Sequence, residues 1–369
     1  MRICLYVVIA QVLVGASTLG SPPQTSTTDK SRRASPLTGI DSVATWRERA
    51  KELRHAWGKI LGRSPDEVPP PRLVSLEVES DGVLVRQKVE YTVLPGERVL
   101  AFFLWRRDLE PASTPGVVVF HSTNPAAAEQ PAGRADRPSH HLGLLLARAG
   151  FVVLAPRCYI FAPGRTYLQN TQWLLRRYRN WTGMGRMLWD GSRAIDILRT
   201  HPCVDRDRIG VVGHSLGAKE VLYVAAFDER VGAAVFSEGG IGLHFSNWDA
   251  PWYLGPQVKA SGFEHDHDEL LALIAPRPFL LIGGNSADGE KSRPYVERAR
   301  AIYALYGAGQ ALQLINHGRG HSLPPEARCA IVSFLDRWLR GKEAAQDELR
   351  PGRTAAVDSP GRPSPQHRP

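Results

Sequence analysis

Five residues, Gly213-His214-Ser215-Leu216-Gly217, hold a serine in a setting that could make its hydroxyl a nucleophile. The preceding stretch, Ile209-Gly210-Val211-Val212, is short and apolar and follows the polar turn Asp205-Arg206-Asp207-Arg208, so it reads as a buried strand. The stretch after it, Ala218 to Ala226, is rich in helix formers. Strand, sharp turn and helix together turn Gly-x-Ser-x-Gly into a nucleophile elbow. The glycines allow the strained turn that lifts the hydroxyl off the sheet, and the new helix aims its first N–H groups at the site. The chemistry predicted is attack of the Ser215 hydroxyl on a carbonyl carbon.

An activated serine needs a base, an acid to orient that base, and donors for the oxyanion. For such an elbow the chain order is serine, then acid, then histidine. Asn316-His317-Gly318-Arg319-Gly320-His321-Ser322 follows the last apolar run and offers two imidazoles. His321 is the preferred base, since it stands after a flexible Gly-x-Gly and before the last helix; His317 is its rival. Asp288, in the loop after the apolar run ending at Ile282, is the preferred acid, and Glu238, after the preceding run, is the alternative. Either carboxylate could instead serve its own turn or helix cap. The Leu216 N–H is one expected oxyanion donor, with a second from Thr123 or Ser122 in the loop after Phe120. His121 could brace that loop.

These residues need a scaffold, and the hydrophobic pattern supplies one. Asp41-Ser42 can cap a helix running through Trp46, Ala50, Leu53, Trp57 and Ile60-Leu61, stopped by Gly62. Residues 73–79, 83–93 and 97–106 alternate apolar and polar, with Asp81-Gly82 and Pro95-Gly96 between them, which predicts an antiparallel ribbon. Beyond it, apolar runs at 116–120, 151–155, 209–212, 232–236, 278–282 and 312–315 alternate with helical segments at 141–149, 185–200, 216–227, 291–306 and 325–340. Continuous apolar strands alternating with helices predict an α/β fold: a mostly parallel central sheet with helices on both faces and an antiparallel N-terminal lead-in. Ligands of such a sheet bind at the carboxyl ends of its strands.

With 369 residues, the chain is long enough for one large domain. Its formal charge of +9 is dispersed and carries no nucleic-acid motif, so no nucleic-acid partner is expected. Residues 1–16 read as a signal peptide, with one Arg, an apolar run broken by Gln11, and Val14-Gly15-Ala16 at the cleavage point. The run is shorter than the roughly 18–20 residues a membrane span needs, so no stable membrane insertion is expected after cleavage. Residues 17–40 read as a linker, 41–342 as the catalytic domain and 343–369 as a disordered tail. Cys158, Cys203 and Cys329 would remain, an odd number and no disulfide framework.

Other clusters are less specific. His265-Asp266-His267-Asp268 carries metal-capable side chains but reads as a polar loop, and no metal or other cofactor is expected. Arg165, Arg176, Arg177, Arg179, Arg186 and Arg193 crowd one segment, either a solvated face or a mouth for an anionic substrate. Trp173, Trp181, Trp189, Trp248 and Trp252 could offer sugar-stacking platforms or core packing.

Taken together, residues 40–340 resemble the α/β-hydrolase superfamily. Asp205-Arg206-Asp207-Arg208-Ile209-Gly210-Val211, Asp228-Glu229-Arg230-Val231 and Ile274-Ala275-Pro276-Arg277-Pro278 are similar to stretches of dienelactone-hydrolase-like and acetyl-xylan-esterase-like bacterial esterases. The elbow also resembles that of glucuronoyl esterases, which carry Gly-Cys-Ser-Arg-x-Gly-Lys: Lys219 matches their lysine, while Leu216 stands where they have arginine. The resemblance implies Ser215 as nucleophile and His321 as base, and it leaves the acid open. The expected protein is a secreted or periplasmic serine esterase acting on a carbohydrate or other small ester, with Lys219 and Trp248 in substrate binding. A prolyl-oligopeptidase-type peptidase or an inactive hydrolase-fold binding module are the alternatives.

Overall fold

The computed structural model describes residues 37–62, 70 and 72–341, so the expected signal peptide, most of the linker and the tail lie outside the described residues. Leu37, assigned above to the linker, is buried in the core.

The antiparallel lead-in forms as the alternation predicts: β1 (Leu73–Ser80), β2 (Leu84–Leu94) and β3 (Glu97–Arg106). The continuous apolar runs become β4 (Thr114–Phe120), β5 (Val152–Pro156), β6 (Val204–His214), β7 (Val231–Ser237), β8 (Phe279–Gly283) and β9 (Leu312–Asn316). All nine join one sheet in the order β1-β2-β3-β5-β4-β6-β7-β8-β9. Pairing is antiparallel through β3–β5 and parallel from there to β9. β4, β5, β7 and β8 are buried along nearly their whole length, which is why they read as unbroken apolar runs.

The sheet has a core on each face, and the period of two sorts the side chains between them. Val117 and Val119 face one core with α2 (Leu142–Arg148) and α8 (Pro325–Leu335). Val118 and Phe120 face the other, with α1 (Val43–Leu61), α4 (Gly183–Leu198), α5 (Leu216–Phe227), α6 (His267–Ile274) and α7 (Arg293–Leu305). Ser42 caps α1 by accepting from the Thr45 N–H at 3.1 Å, and Gly62 closes it.

Strand order also locates the site. From β4 the chain steps one way to β5 and then back past β4 to β6. Strand order therefore reverses at β4, and the loops after β4 and β6 leave the sheet side by side, where an open α/β sheet makes its crevice.

Two helices escape the sequence pattern. α3 (Tyr167–Arg177) is a polar, Arg-rich helix with a Thr166–Gln169 capping box. α6 begins inside His265-Asp266-His267-Asp268, where Asp266 caps it by accepting from the His267 N–H at 2.8 Å. The expected polar loop is thus a buried helix start. His267 Nδ1 donates to Ile241 O (2.5 Å) and its Nε2 accepts from Tyr223 Oη (2.7 Å), the Asp268 carboxylate pairs with Arg298 (2.5 Å), and the Glu269 carboxylate takes the Trp57 indole N–H (2.6 Å). Among the described residues no cluster of His, Cys, Asp and Glu could hold a metal ion.

Candidate active site

Ser215 sits between β6 and α5 with φ 60° and ψ −116°, a backbone conformation that side chains other than glycine rarely adopt. Its neighbours explain how that is tolerated. A Cβ at Gly213 would lie 2.2 Å from the Gly217 carbonyl, and a Cβ at Gly217 would lie 2.2 Å from Phe120 O. Only glycine permits the elbow to fold this tightly against itself and the end of β4. The Ser215 N–H donates to Ser237 O (2.8 Å), tying the serine to the end of β7. Ser215 O accepts from the Ala218 and Lys219 N–H groups (3.1 and 3.3 Å), so the helix ladder starts at the serine itself and the Leu216 N–H stands in the first turn, before that ladder.

Two carboxylates flank the histidine loop, and they have different tasks. Glu238 follows β7 directly with φ 51°, is almost wholly buried, and lies 3.1 Å through Oε2 from His321 Nδ1. It also accepts from the backbone N–H groups of Gly284, Ala287 (2.7 Å) and Asp288 (3.3 Å). Burial pushes its carboxyl up, but the hydrogen bonds from His321 and the three amides outweigh that and hold it below the usual carboxylate range.

Asp288, the acid preferred from sequence, does not meet His321. Its Oδ2 accepts from the Gly240 N–H (2.6 Å), and its Oδ1 from the Ile241 N–H and Ser292 Oγ (2.8 Å each). The carboxylate thus pins the loop after β7 to the loop after β8, from behind Glu238, and burial raises its pKa. His317, the rival base, is held in its own turn, where Nδ1 accepts from the Arg319 N–H (3.1 Å).

On the other side of the elbow lies the loop after β4. His121 Nε2 accepts from the Cys158 N–H (3.0 Å), so the ring proton sits on Nδ1 and donates to Ser122 O (2.7 Å). This bracing fixes Ser122 and Thr123 between β4 and β5. Thr123 then lines an open cleft of about 800 Å³ whose far wall includes Arg134 and Arg137.

Burial pulls His121 down to about 4, with the Ser122 carbonyl opposing, and pulls His267 down to about 3. Both are neutral in the fold, whereas in the unfolded chain they charge near the ordinary value of 6.5. The unfolded state therefore binds the extra protons first as pH falls, and the stability present above 6.5 is lost towards 4. His121 alone accounts for about 3 kcal/mol of that loss. Melting temperature is expected to fall steadily from pH 6.5 to 4.5, and a flat profile in scanning calorimetry would contradict neutral burial.

Lys219 and Trp248, expected to touch substrate, are instead buried against each other. The Lys219 ammonium stands 3.7 Å from the centre of the Trp248 ring and donates to Ser246 Oγ (2.8 Å). Burial draws its pKa down to about 7, against the opposing charge of Asp288. The Trp248 indole N–H donates to Gly240 O (2.7 Å), so this pair supports the loop carrying Glu238 and leaves no face for a sugar.

The arginine-rich segment is partly structural as well. Arg186 is buried, with Nε donating to both Asp190 oxygens (2.8 Å each) and Nη1 to Glu97 (2.6 Å). Arg165 and Arg177 flank the Trp173 ring. Arg186→Met should strand the buried Asp190 carboxylate, while Glu97 keeps the Tyr178 hydroxyl, and lower stability by about 3–5 kcal/mol. Thermal denaturation tests this, and KM for an ester should stay unchanged if the role is structural. Cys158 and Cys203 are free thiols.

Residues 108–247 match the dienelactone hydrolase family. A CE15 glucuronoyl esterase from Teredinibacter turnerae superposes with a TM-score of 0.63 at 21% identity, covering 86% of this chain and 93% of that one. This chain has an α/β-hydrolase fold. The fold is accompanied by similarity in sequence. YtaP of Bacillus subtilis, a protein named as a hydrolase, is 29% identical over 164 residues, 42% of this chain and 54% of that one. A 4-O-methyl-glucuronoyl methylesterase of Phanerochaete carnosa is 27% identical over 202 residues, 44% of this chain and 48% of its own length. The chain spans about half the length of these curated relatives. Among the described residues, no helix is long and apolar enough to cross a membrane.

Proposed function

We propose that this protein is an exported serine hydrolase of carboxylic esters that acts on carbohydrate esters through Ser215, His321 and Glu238. The observation that carries this reading is the 3.1 Å contact between His321 Nδ1 and the buried, lowered-pKa Glu238, made beside a serine held at positive φ. Glu238 accepts a hydrogen bond from the Nδ1–H, which leaves Nε2 as the basic nitrogen. His321 takes the Ser215 proton as Oγ attacks the ester carbonyl, and the imidazolium then protonates the leaving alcohol. The Leu216 N–H and an N–H of the 122–123 loop hold the oxyanion, each worth about 3 kcal/mol of transition-state stabilisation. Water, activated by the same histidine, then attacks the acyl-enzyme and releases the acid.

A sugar ester as substrate is supported by the kinship with the glucuronoyl methylesterase. Export rests on the sequence of residues 1–16. The test is hydrolysis of acetylated xylo-oligosaccharides, methyl glucuronate esters and p-nitrophenyl acetate, together with fluorophosphonate labelling located by peptide mass. Turnover of a sugar ester with labelling at Ser215 is expected. No turnover of any of the three and no labelling would overturn the reading.

A further inference from the structure

The elbow pattern asks nothing of the residue between its first glycine and the serine, yet here that residue is a histidine with a definite environment. His214 is buried at the end of β6. Its Nδ1 lies 3.0 Å from Ser237 Oγ, on the residue that precedes Glu238 and whose carbonyl holds the Ser215 N–H. Its ring packs against the His321 ring, with centroids 4.8 Å apart and planes inclined by 44°. The opposite neighbour is His140, edge-on at 5.2 Å. Nε2 is buried with no hydrogen-bond partner among the described residues, so the imidazole is retained at a cost that an apolar side chain would avoid.

The need for such a neighbour follows from how weakly His321 is otherwise held. Its loop carries Gly318 and Gly320 at φ 68°, its side chain is 43% exposed, and Glu238 fixes one ring atom. One hydrogen bond fixes a point and leaves the plane of the ring free to tilt about it. A flat, buried ring alongside supplies the second constraint. We propose that His214 is a positioning residue: aimed by Ser237, it holds the plane of the His321 imidazole so that Nε2 faces Ser215. Burial keeps His214 neutral, so it adds no repulsion when His321 becomes an imidazolium. This rests on the proposed roles of Ser215, His321 and Glu238.

Two readouts separate the two proposals. In histidine-labelled protein, the downfield proton resonance of His321 Nδ1–H bound to Glu238 should be sharp in the parent and broadened in His214→Ala, whether or not a substrate has been found. With an ester substrate, kcat per fluorophosphonate-titrated site should fall about 10–100-fold in His214→Ala with KM within about twofold, the loss expected of a misplaced base. His214→Phe, which restores the ring, should recover most of kcat. Ser237→Ala removes one hydroxyl and should lose about 3–10-fold, which keeps a test available if His214→Ala does not fold. An unchanged resonance, kcat per titrated site within twofold of the parent, or a Phe variant as poor as Ala would each overturn the proposal. A parent that hydrolyses no ester refutes the functional reading, and the resonance still decides the role of His214.

Discussion

Ser215→Ala is expected to abolish ester hydrolysis while leaving the fold intact. Removing a triad nucleophile typically costs on the order of 10³–10⁶ in kcat, because the residual oxyanion hole and binding groups act without an acyl-enzyme. The substitution is structurally mild. The strain at residue 215 comes from a Cβ at positive φ, and alanine carries the same Cβ. The bonds that hold the turn, from the residue 215 N–H to Ser237 O and from Ala218 to the residue 215 carbonyl, are made by backbone. Melting temperature should therefore stay within about 2 °C of the parent. Hydrolysis of p-nitrophenyl acetate and a circular dichroism melt test both halves, and an active Ser215→Ala protein would end the mechanism.

The second large effect separates the two carboxylates. Glu238→Gln should lower kcat by about 10²–10⁴, as expected when the acid that fixes a catalytic imidazole becomes an amide. The new NH₂ must also face donors, since both Glu238 oxygens already accept backbone N–H groups. Asp288→Asn should behave differently. Either amide orientation leaves one of the Gly240 and Ile241 N–H groups facing a donor, at a cost of about 1–3 kcal/mol in stability. Its kcat should stay within about tenfold of the parent, with a melting point lower by several degrees. Steady-state rates and melts on the two variants decide the matter. A crippled Asp288→Asn beside a normal Glu238→Gln would reverse the roles assigned here.

Why sequence alone could not choose between the two carboxylates is visible in the sheet. Ser237 pairs with Ile282 in register, so the loops after β7 and β8 leave the sheet level with each other and deliver their carboxylates to one place. Chain order admits both. The choice is made by a backbone detail, the positive φ of Glu238, which turns its side chain to the histidine loop and leaves Asp288 to hold the turn from behind. No apolar periodicity encodes that. The central strands, by contrast, were readable because burial on both faces demands unbroken apolar runs. α6 was hidden because charged residues at its start are buried through partners distant in sequence: Asp268 with Arg298, and Glu269 with Trp57. The contact of Lys219 with Trp248 was hidden for the same reason, since a cation buried on an indole 29 positions away has the composition of a binding site.

The contact of Gly217 with Phe120 O has a consequence for how this protein could diversify. The serine is placed largely by main chain pressed against main chain. Mutations in the walls of the cleft can then reshape the space offered to a substrate without displacing the attacking atom. Laboratory libraries that randomise Asn124 and Arg134 to Arg137 should recover many variants with altered substrate range, whereas a library that randomises Gly213 and Gly217 should return only glycine at both.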